Sequence, residues 1–249
     1  MTRQQQTGNL WRDYNLGTLV SYAALLTGLE AKREVYGLAE VWESNTTPVR
    51  WLTQKVIEGL IEQNLASAEP HLLAPNCNVI LNHRNDDRHL KSVLDELGRR
   101  QIDYMDKSLL SLTRAYLKAD LHAHIRKQLG KVGIDLTLTE DDFETLATAL
   151  ERHNLSQLYM IIWQTAQNLS CSNLRFFSLS EGSGSIAVQI ESACLETLNK
   201  YESKNRVIKP FQYSQNNRPS LSLVLFNSVL GINDRYHTNS LRQIWNHYA

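Results

Sequence analysis

The chain contains 249 residues, of which 42% are hydrophobic and 21% are charged, and its 26 basic residues balance 26 acidic ones. This length suits one large domain or two small ones and is sufficient to bury a hydrophobic core. The composition excludes a largely disordered chain. The formal net charge of zero excludes a polybasic protein whose whole surface binds nucleic acid, but it does not exclude a local basic patch.

The cysteine pattern and the hydropathy exclude further classes of protein. Cys77, Cys171 and Cys194 are far apart and form no C-x-x-C pair, so the sequence encodes neither a zinc knuckle nor a disulfide framework. No apolar stretch reaches the roughly 18 residues needed to cross a membrane, and the polar N-terminus lacks the apolar core of a secretory signal. We therefore predict a cytoplasmic protein with no membrane segment, no metal and no cofactor.

Residues 1–9 are polar and are predicted to form a disordered leader. Apolar residues then recur at helical spacing from Leu16 to about Trp42. Because Gly28 and Gly37 interrupt this pattern, we predict two helices there rather than one.

A polar turn separates these two helices from a third. Pro48 suits the first position of a helix and Thr47 is its predicted N-cap, while the apolar face continues to about Asn64. The segment 69–76, which contains two prolines, is predicted to be extended, and the segment 78–81 is predicted to be a strand.

The middle of the chain is predicted to be helical. Residues 88–130 have the apolar spacing of two helices. Thr139 and Asp142 have the spacing of a capping box, at the start of a helix that ends near His153. The next predicted helix, 155–169, has a very apolar centre from Leu158 to Trp163 that we expect to lie in the middle of the core.

The last third of the chain mixes loop and helix signals. Residues 175–180 are predicted to form a strand, and residues 186–201 an amphipathic helix. The proline-containing and asparagine-containing segment 204–219 is predicted to be a loop. A helix over 221–230 and a short C-terminal helix are predicted to end the protein.

Charge is unevenly distributed along the chain. The net charge is −2 over residues 1–83, +4 over residues 84–131, −7 over residues 135–196 and +5 over residues 199–249. The chain is therefore segregated by charge, and the functional question is which surface is basic and whether the acidic segment covers it.

Residues 18–81 combine a helix, a second helix with the pair Leu38-Ala39, a polar turn, a third helix that ends in Leu60-Ile61, and an extended tail. This order resembles that of winged helix-turn-helix domains. The resemblance implies that the start of the third helix meets base edges or phosphates of DNA. Arg and Lys side chains suit guanine, and Gln suits adenine. The residues that the resemblance assigns to this contact are Thr46, Thr47, Arg50, Trp51, Gln54 and Lys55.

The predicted wing departs from most DNA-binding members of this family. Residues 68–81 contain no lysine and no arginine, although a wing that contacts phosphates needs positive charge. A winged helix used for protein contacts, or a simple three-helix core, explains the same spacing.

The C-terminal region interleaves basic and aromatic residues. Such a mixture suits a surface for single-stranded nucleic acid, because bases stack on the rings and phosphates pair with the cations. It also suits a protein interface or docking onto the acidic segment 135–196. The basic residues assigned to nucleic-acid binding are Lys204, Arg206, Lys209 and Arg218, and the nearby aromatic residues are Phe211, Tyr213, Tyr236, Trp245 and Tyr248.

The segment from Arg84 to His89 has the spacing R-N-x-x-x-H and resembles the motif of HEPN ribonucleases, which are helical proteins. The resemblance implies that Arg84 stabilises phosphate charge and that His89 moves a proton. Asp86 and Asp87 replace the usual apolar residues of the motif and would repel an RNA backbone. In the alternative interpretation, one of these aspartates caps the helix predicted from residue 88.

The segment from Asp120 to His124 resembles the D-x-H-x-H opening of metal-dependent hydrolases, in which two histidines on a strand bind a metal together. Here the motif lies within a helical pattern, so that His122 and His124 would diverge by about 200° around the helix axis. We interpret it as a solvated helix face with two histidines.

The segment 180–185 has the order strand, glycine loop, helix, which can hold an anion on backbone N–H groups. It lacks the lysine and the full glycine spacing of nucleotide-binding loops. We interpret its glycines as a tight helix entry with a serine cap.

These patterns together predict a mainly α protein, with a winged-helix-like unit over residues 10–84 and a C-terminal helical domain with little β structure over residues 85–249. The predicted function is that of a non-catalytic nucleic-acid-associated protein, either a DNA-binding regulator or an accessory subunit of a larger complex. Its predicted partners are DNA or RNA, together with another protein or a second copy of the chain. The alternatives are a helical ribonuclease that uses Arg84 and His89, and a pure protein-interaction subunit.

Overall fold

The computed structural model describes residues 11–29, 32–72, 76–83, 85–102, 106–171, 183–212 and 218–246. The described chain is mainly helical and contains a small three-stranded sheet, which confirms the predicted fold class. None of the described helices is long and apolar enough to cross a membrane.

The chain folds as two compact units. The first contains the described residues within Met1–Tyr116 and Gln215–Asp234, and the second contains those within Leu117–Ser214 and Arg235–His247. The division between these units falls inside a long helix, at Tyr116 and Leu117. The domain boundary near residue 84 stays a prediction. The first unit also contains a segment from near the C-terminus.

The first unit is built from helices around one small sheet. Its elements are α1 (Leu16–Gly28), β1 (Val35–Gly37), α2 (Leu38–Glu43), α3 (Arg50–Glu62), β2 (Ala66–Glu69), β3 (Asn78–Leu81), α4 (Asp87–Arg99), the first half of α5 (Lys107–Lys131), and α9 (Ser220–Ser222), which continues as a π-helical segment (Leu223–Val229).

The sheet has the order β1-β3-β2, and both pairings are antiparallel. Val79 in the central strand lies opposite Tyr36 on one side and Ala68 on the other. The predicted strand at 78–81 is confirmed with its bounds. Strands β1 and β2 have only three and four residues, so neither is long enough to show an alternating pattern in the sequence.

Helix α3 begins later than the sequence suggested. Its first residue is Arg50 and its N-cap is Val49, so the prediction of Thr47 as the N-cap was wrong. The Thr47 hydroxyl instead donates to the carbonyl oxygen of Val49 at 2.8 Å and hydrogen-bonds the hydroxyl of Thr53 at 2.7 Å. Because this hydroxyl is engaged inside the protein, it is not available to the first N–H groups of the helix.

The turn between α2 and α3 is held by the segment from Arg218 to Leu221. The Asn45 side-chain amide donates to the carbonyl oxygen of Arg218 at 2.9 Å, and the Ser220 N–H donates to the carbonyl oxygen of Asn45 at 2.7 Å. The Leu221 N–H donates to the carbonyl oxygen of Thr46 at 2.9 Å. These bonds connect residues about 175 positions apart and secure the backbone just before α3.

Gly28 at the end of α1 allows this close approach. A Cβ atom at this position would collide with the hydroxyl of Thr46 and would lie 2.9 Å from the hydroxyl of Ser220. The Ser220 hydroxyl also donates to the carbonyl oxygen of Ala24 in α1 at 2.7 Å. The absence of a side chain at residue 28 thus lets α1, the α2–α3 turn and the C-terminal segment pack together.

The second unit is helical in its described residues. Its elements are the second half of α5, α6 (Glu144–Thr148) with a following 3₁₀ turn (Ala149–Glu151), α7 (Leu155–Cys171), α8 (Ser183–Ser203), part of a 3₁₀ turn (Asn233–His237), and α10 (Leu241–Asn246).

The centre of α7 lies in the core, as predicted. Leu158, Tyr159, Ile161 and Ile162 are almost fully buried. Trp163, which belongs to the same apolar run in the sequence, is 38% exposed, so its inclusion in the core was wrong. Trp163 lies one turn after the buried Tyr159 on the same side of α7, so the helical period alone does not determine its exposure.

The predicted capping box forms, but it does not start the helix. Asp142 accepts hydrogen bonds from the N–H of Thr139 at 2.7 Å and from its hydroxyl at 2.9 Å. Helix α6 begins only at Glu144, after Phe143, which has the left-handed backbone conformation with φ = 55°. The hydrogen bonds of the capping box therefore stabilise the turn that precedes α6.

Candidate nucleic-acid interface

The first two turns of α3 carry the residues that the sequence analysis assigned to DNA contact. Arg50 and Lys55 are exposed, while Trp51 and Gln54 are half-buried. The first turn has no acidic residue, and no described side chain caps it. The positive end of the helix dipole therefore lies beside Arg50 and would favour an anion there.

Arg50 is held against an aromatic ring at the end of α2. Its guanidinium carbon lies 5.7 Å from the ring centre of Trp42, which is within the range of a cation–π interaction. Trp42 was not among the site residues that the sequence analysis predicted. The signal that could have found it is a tryptophan just before the polar turn, across which it can contact the start of α3.

The rest of the exposed face of α3 is of mixed charge. The Gln54 amide donates to a carboxylate oxygen of Glu58 at 2.9 Å, and Glu62 is exposed one turn further along. Helix α3 thus has two basic and two acidic side chains, with the positive charge confined to its first half. A nucleic acid would contact that half, because the second half repels phosphate.

Thr46 and Thr47 lie inside the protein. Thr47 is 8% exposed and Thr46 is fully buried. Thr46 also hydrogen-bonds the hydroxyl of Ser44 at 2.7 Å. These two residues secure the turn that precedes α3, and their side chains do not lie on its surface.

Arg218 lies beside the α2–α3 turn. Its carbonyl oxygen accepts the hydrogen bond from Asn45, and its guanidinium group lies 3.4 Å from the amide oxygen of Asn227. The structure thus brings Arg218 into the same unit as α3, whereas the sequence analysis had grouped it with Lys204, Arg206 and Lys209. Asn45, which holds Arg218 there, carries no local sequence signal for this role.

Residues 204–210 form an exposed segment after α8, which we call the basic loop. Lys204, Arg206 and Lys209 are exposed, and none of them pairs with a carboxylate of a described residue. Ile208 is buried and anchors the loop, and the N–H of Phe211 donates to the carbonyl oxygen of Ser156 at 3.0 Å just beyond it. The second unit therefore has its own anchored cluster of positive charge, which no carboxylate of the described residues neutralises.

The described residues of the R-N-x-x-x-H motif have structural contacts. Arg84 lies outside the described residues. Asp86 is the N-cap of α4 and accepts from the N–H of His89 at 2.8 Å, which confirms the interpretation of an aspartate as the cap. Asn85 is buried and its amide donates to the hydroxyl of Tyr36 at 2.7 Å.

The ring of His89 belongs to an aromatic cluster. Its centre lies 4.9 Å from that of Trp11, 6.1 Å from that of Tyr22 and 5.2 Å from that of His83, on which it stacks. Burial lowers the pKa of His89, and His83 lowers it further, while Asp86 opposes the shift. The ribonuclease role of Arg84 and His89 stays a prediction.

The interpretation of His122 and His124 as a solvated face was wrong, because both side chains are buried. The ring Nε2 of His122 donates to the carbonyl oxygen of Asp142 at 2.9 Å. His124 stacks on Tyr159 with ring centres 4.0 Å apart and accepts from the Gln128 amide at 3.3 Å. Burial is the main cause that lowers the pKa of His122 to about 4 and that of His124 to about 3.

These two histidines bond to different groups and do not converge on one point. In the described ranges of the chain, no group of three or more His, Cys, Asp or Glu side chains could hold a metal ion. Asp120, one turn before His124, lies 3.8 Å from the ring of His237, and both groups are buried. The arrangement is a buried polar layer on one helix.

Several predicted features lie outside the described residues. They are the leader at 1–9, the strand at 175–180, the first part of the glycine loop at 180–185, and the aromatic residues Tyr213 and Tyr248.

Comparison of the chain with protein-family models, with curated proteins and with solved structures found no match.

Proposed function

We propose that the protein is a non-catalytic nucleic-acid-associated protein, a DNA-binding regulator or an accessory subunit of a larger complex, which contacts nucleic acid through the start of α3. The observation that carries this proposal is the exposed Arg50 in the first turn of α3, a turn that no described side chain caps, with its guanidinium group over the ring of Trp42. The turn before α3 is held by hydrogen bonds to the segment 218–221, so the orientation of α3 is fixed before any ligand binds.

The order of elements in the first unit supports the same proposal. The elements α1, β1, α2, α3, β2 and β3 follow one another, and the two last strands form an antiparallel pair after α3. This is the order that the resemblance to winged helix-turn-helix domains implies, with α3 as the helix that enters the major groove.

The charges of these residues suggest which of them would bind phosphates and which would bind bases. Arg50 and the first N–H groups of α3 would bind phosphate, while Lys55 and Gln54 would reach base edges once Gln54 leaves Glu58. Arg218 beside the α2–α3 turn would add one phosphate contact within the first unit. The basic loop would be a separate positive surface of the second unit.

The mixed charge of α3 favours a second candidate function, a protein-interaction subunit. Glu58 and Glu62 on the exposed face, and the absence of Lys and Arg from residues 68–81, are unusual for a DNA-contacting surface but common at the rim of protein interfaces. In this case the same surface would bind an oppositely patterned protein and would have no affinity for nucleic acid.

The proposal can be tested with a pair of matched charge reversals. The variant R50E/K55E should lose binding to a mixed-sequence duplex DNA, measured by fluorescence anisotropy at several salt concentrations. The control R88E/K91E changes two exposed basic residues of α4 by the same amount and should keep binding. Each lost phosphate contact should reduce the slope of log K against log salt by about 0.9.

Equal affinity of R50E/K55E and the unchanged protein would overturn the proposal for α3. Absence of DNA and RNA binding by the unchanged protein, together with co-purification of one stoichiometric protein partner after nuclease treatment, would support the interaction subunit instead.

A further inference from the structure

The first unit contains a groove between α1, α3 and the first half of α5. Its volume is about 450 Å³, which falls within the range of small-molecule sites in proteins. It lies on the flank of α3 that faces α1, next to the surface proposed for nucleic acid. All of the residues that line it belong to the first unit.

The floor of the groove is aliphatic. Leu52, Val56 and Leu60 from α3 line it together with Leu112 and Ala115 from α5. None of the described residues that line it has an aromatic ring, so the groove provides no surface on which a nucleobase or another planar ring could stack. Methylene groups are the ligand parts that suit this floor.

The rim of the groove has more negative than positive charge. Glu58 and Glu62 line it with the single cation Lys55. The two carboxylates are four residues apart on α3, so they lie on one face with a spacing of about 6 Å along the helix axis. Along the axis, Glu58 lies about 4.5 Å and Glu62 about 10 Å from Lys55, so the Glu62 end of the groove is the better position for a cation.

Ser21 adds a polar atom from the side of α1. It lines the groove and is only 8% exposed, yet its hydroxyl makes no hydrogen bond to any described residue. The hydroxyl oxygen is therefore left to accept a hydrogen bond from a ligand N–H group in the groove.

We infer that this groove binds an aliphatic diamine or polyamine. One ammonium group binds Glu62 and a second binds Glu58, while the methylene chain covers the leucine and valine floor and Ser21 accepts one further hydrogen bond. Two nitrogens joined by four methylene groups are about 6 Å apart when extended, which matches the spacing of the two carboxylates.

The inference is tested by isothermal titration calorimetry on the full chain at low salt, with no nucleic acid present. The probes are 1,4-diaminobutane, butylamine with one ammonium group, and 1,4-butanediol with none. Because a charged hydrogen bond is lost, butylamine should bind about tenfold more weakly than the diamine, and the diol should give no binding. Equal binding of the diamine and the diol would overturn the inference.

Conservative variants locate the site. E58Q and E62Q should each weaken diamine binding about tenfold, and S21A should weaken it by a smaller factor. E43Q removes an exposed carboxylate of α2 that does not line the groove and should leave binding unchanged. If E43Q and E62Q weaken binding equally, the diamine is only screening surface charge and the inference fails. The result is independent of whether R50E/K55E affects DNA binding.

Discussion

The start of α3 and the second half of α5 are both helical segments rich in polar residues, but they lie in different environments. Arg50 and Lys55 on α3 are exposed, and the described contact of Arg50 is a ring face. His122 and His124 on α5 are buried. His122 hydrogen-bonds the carbonyl oxygen of Asp142, before α6, and His124 stacks on Tyr159 of α7.

This difference separates binding chemistry from structural chemistry. The exposed charged side chains of α3 are hydrated, and a ligand can replace this water with little effect on the stability of the fold. On α5 the polar groups have given up water, so their partners are needed to keep the folded state stable. We therefore expect substitutions at α3 to change binding and substitutions around α5 to change the free energy of unfolding.

The largest expected effect is at the ring that covers His124. Replacement of Tyr159 by Ala removes a fully buried ring that contacts His124 and Phe211, and should lower the free energy of unfolding by about 3–5 kcal/mol. Trp163→Ala, on the same helix but 38% exposed, should cost less than about 2 kcal/mol. Urea denaturation of both variants measures the difference, and equal losses would show that the buried and the exposed aromatic side chain of α7 do not differ as described.

Acid should destabilise the protein through the same layer. The folded-state pKa is about 4 for His122 and about 3 for His124, whereas both are near 6.5 in the unfolded chain. As the pH falls below 6.5, the unfolded state binds protons that the folded state does not, so stability decreases. Between pH 7 and pH 5.5 the two histidines together should cost about 2.5 kcal/mol.

The measurement is the free energy of unfolding from urea titrations at pH 7, 6.5, 6 and 5.5. In H122Q/H124Q the decrease over this range should be smaller, because the two groups no longer take up protons on unfolding. A free energy that does not change with pH in the unchanged protein would contradict the burial of these two rings in a neutral form.

Local sequence patterns predicted those helices and strands that interactions between nearby residues specify. Strand β3 was predicted with its bounds, and helices α4, α5, α7 and α8 were predicted near theirs, because apolar spacing and flanking turn residues specify them. The helix predicted from Thr139 to about His153 is shorter, with α6 only at Glu144–Thr148. Strands β1 and β2 were missed, since such short strands depend on pairing with β3. The cap of α3 was misplaced because the Thr47 hydroxyl bonds Thr53, which the sequence alone does not reveal.

Some features of the candidate site depend on contacts between residues that are far apart in the sequence. The exposed residues at the start of α3 could be named from the sequence, because a turn followed by an amphipathic helix has a local signature. The position of Arg218 could not, because it depends on hydrogen bonds to Asn45, 173 residues away. The burial of His122 depends likewise on Asp142, and a polar residue in a helix does not by itself indicate whether such a partner exists.

The smallest expected effect concerns Trp42 and Arg50 on the exposed side of the comparison. A double-mutant cycle with W42L, R50A and the double variant, measured by urea denaturation, should give a coupling of about 0.5–1 kcal/mol, as for other exposed cation–π pairs. A coupling above about 2 kcal/mol would mean that the pair is part of the core, and a coupling of zero would mean that the ring does not orient Arg50. With the expected small value, the tryptophan fixes the guanidinium group in place without removing it from water. Arg50 then remains able to bind a phosphate, unlike the histidines of α5.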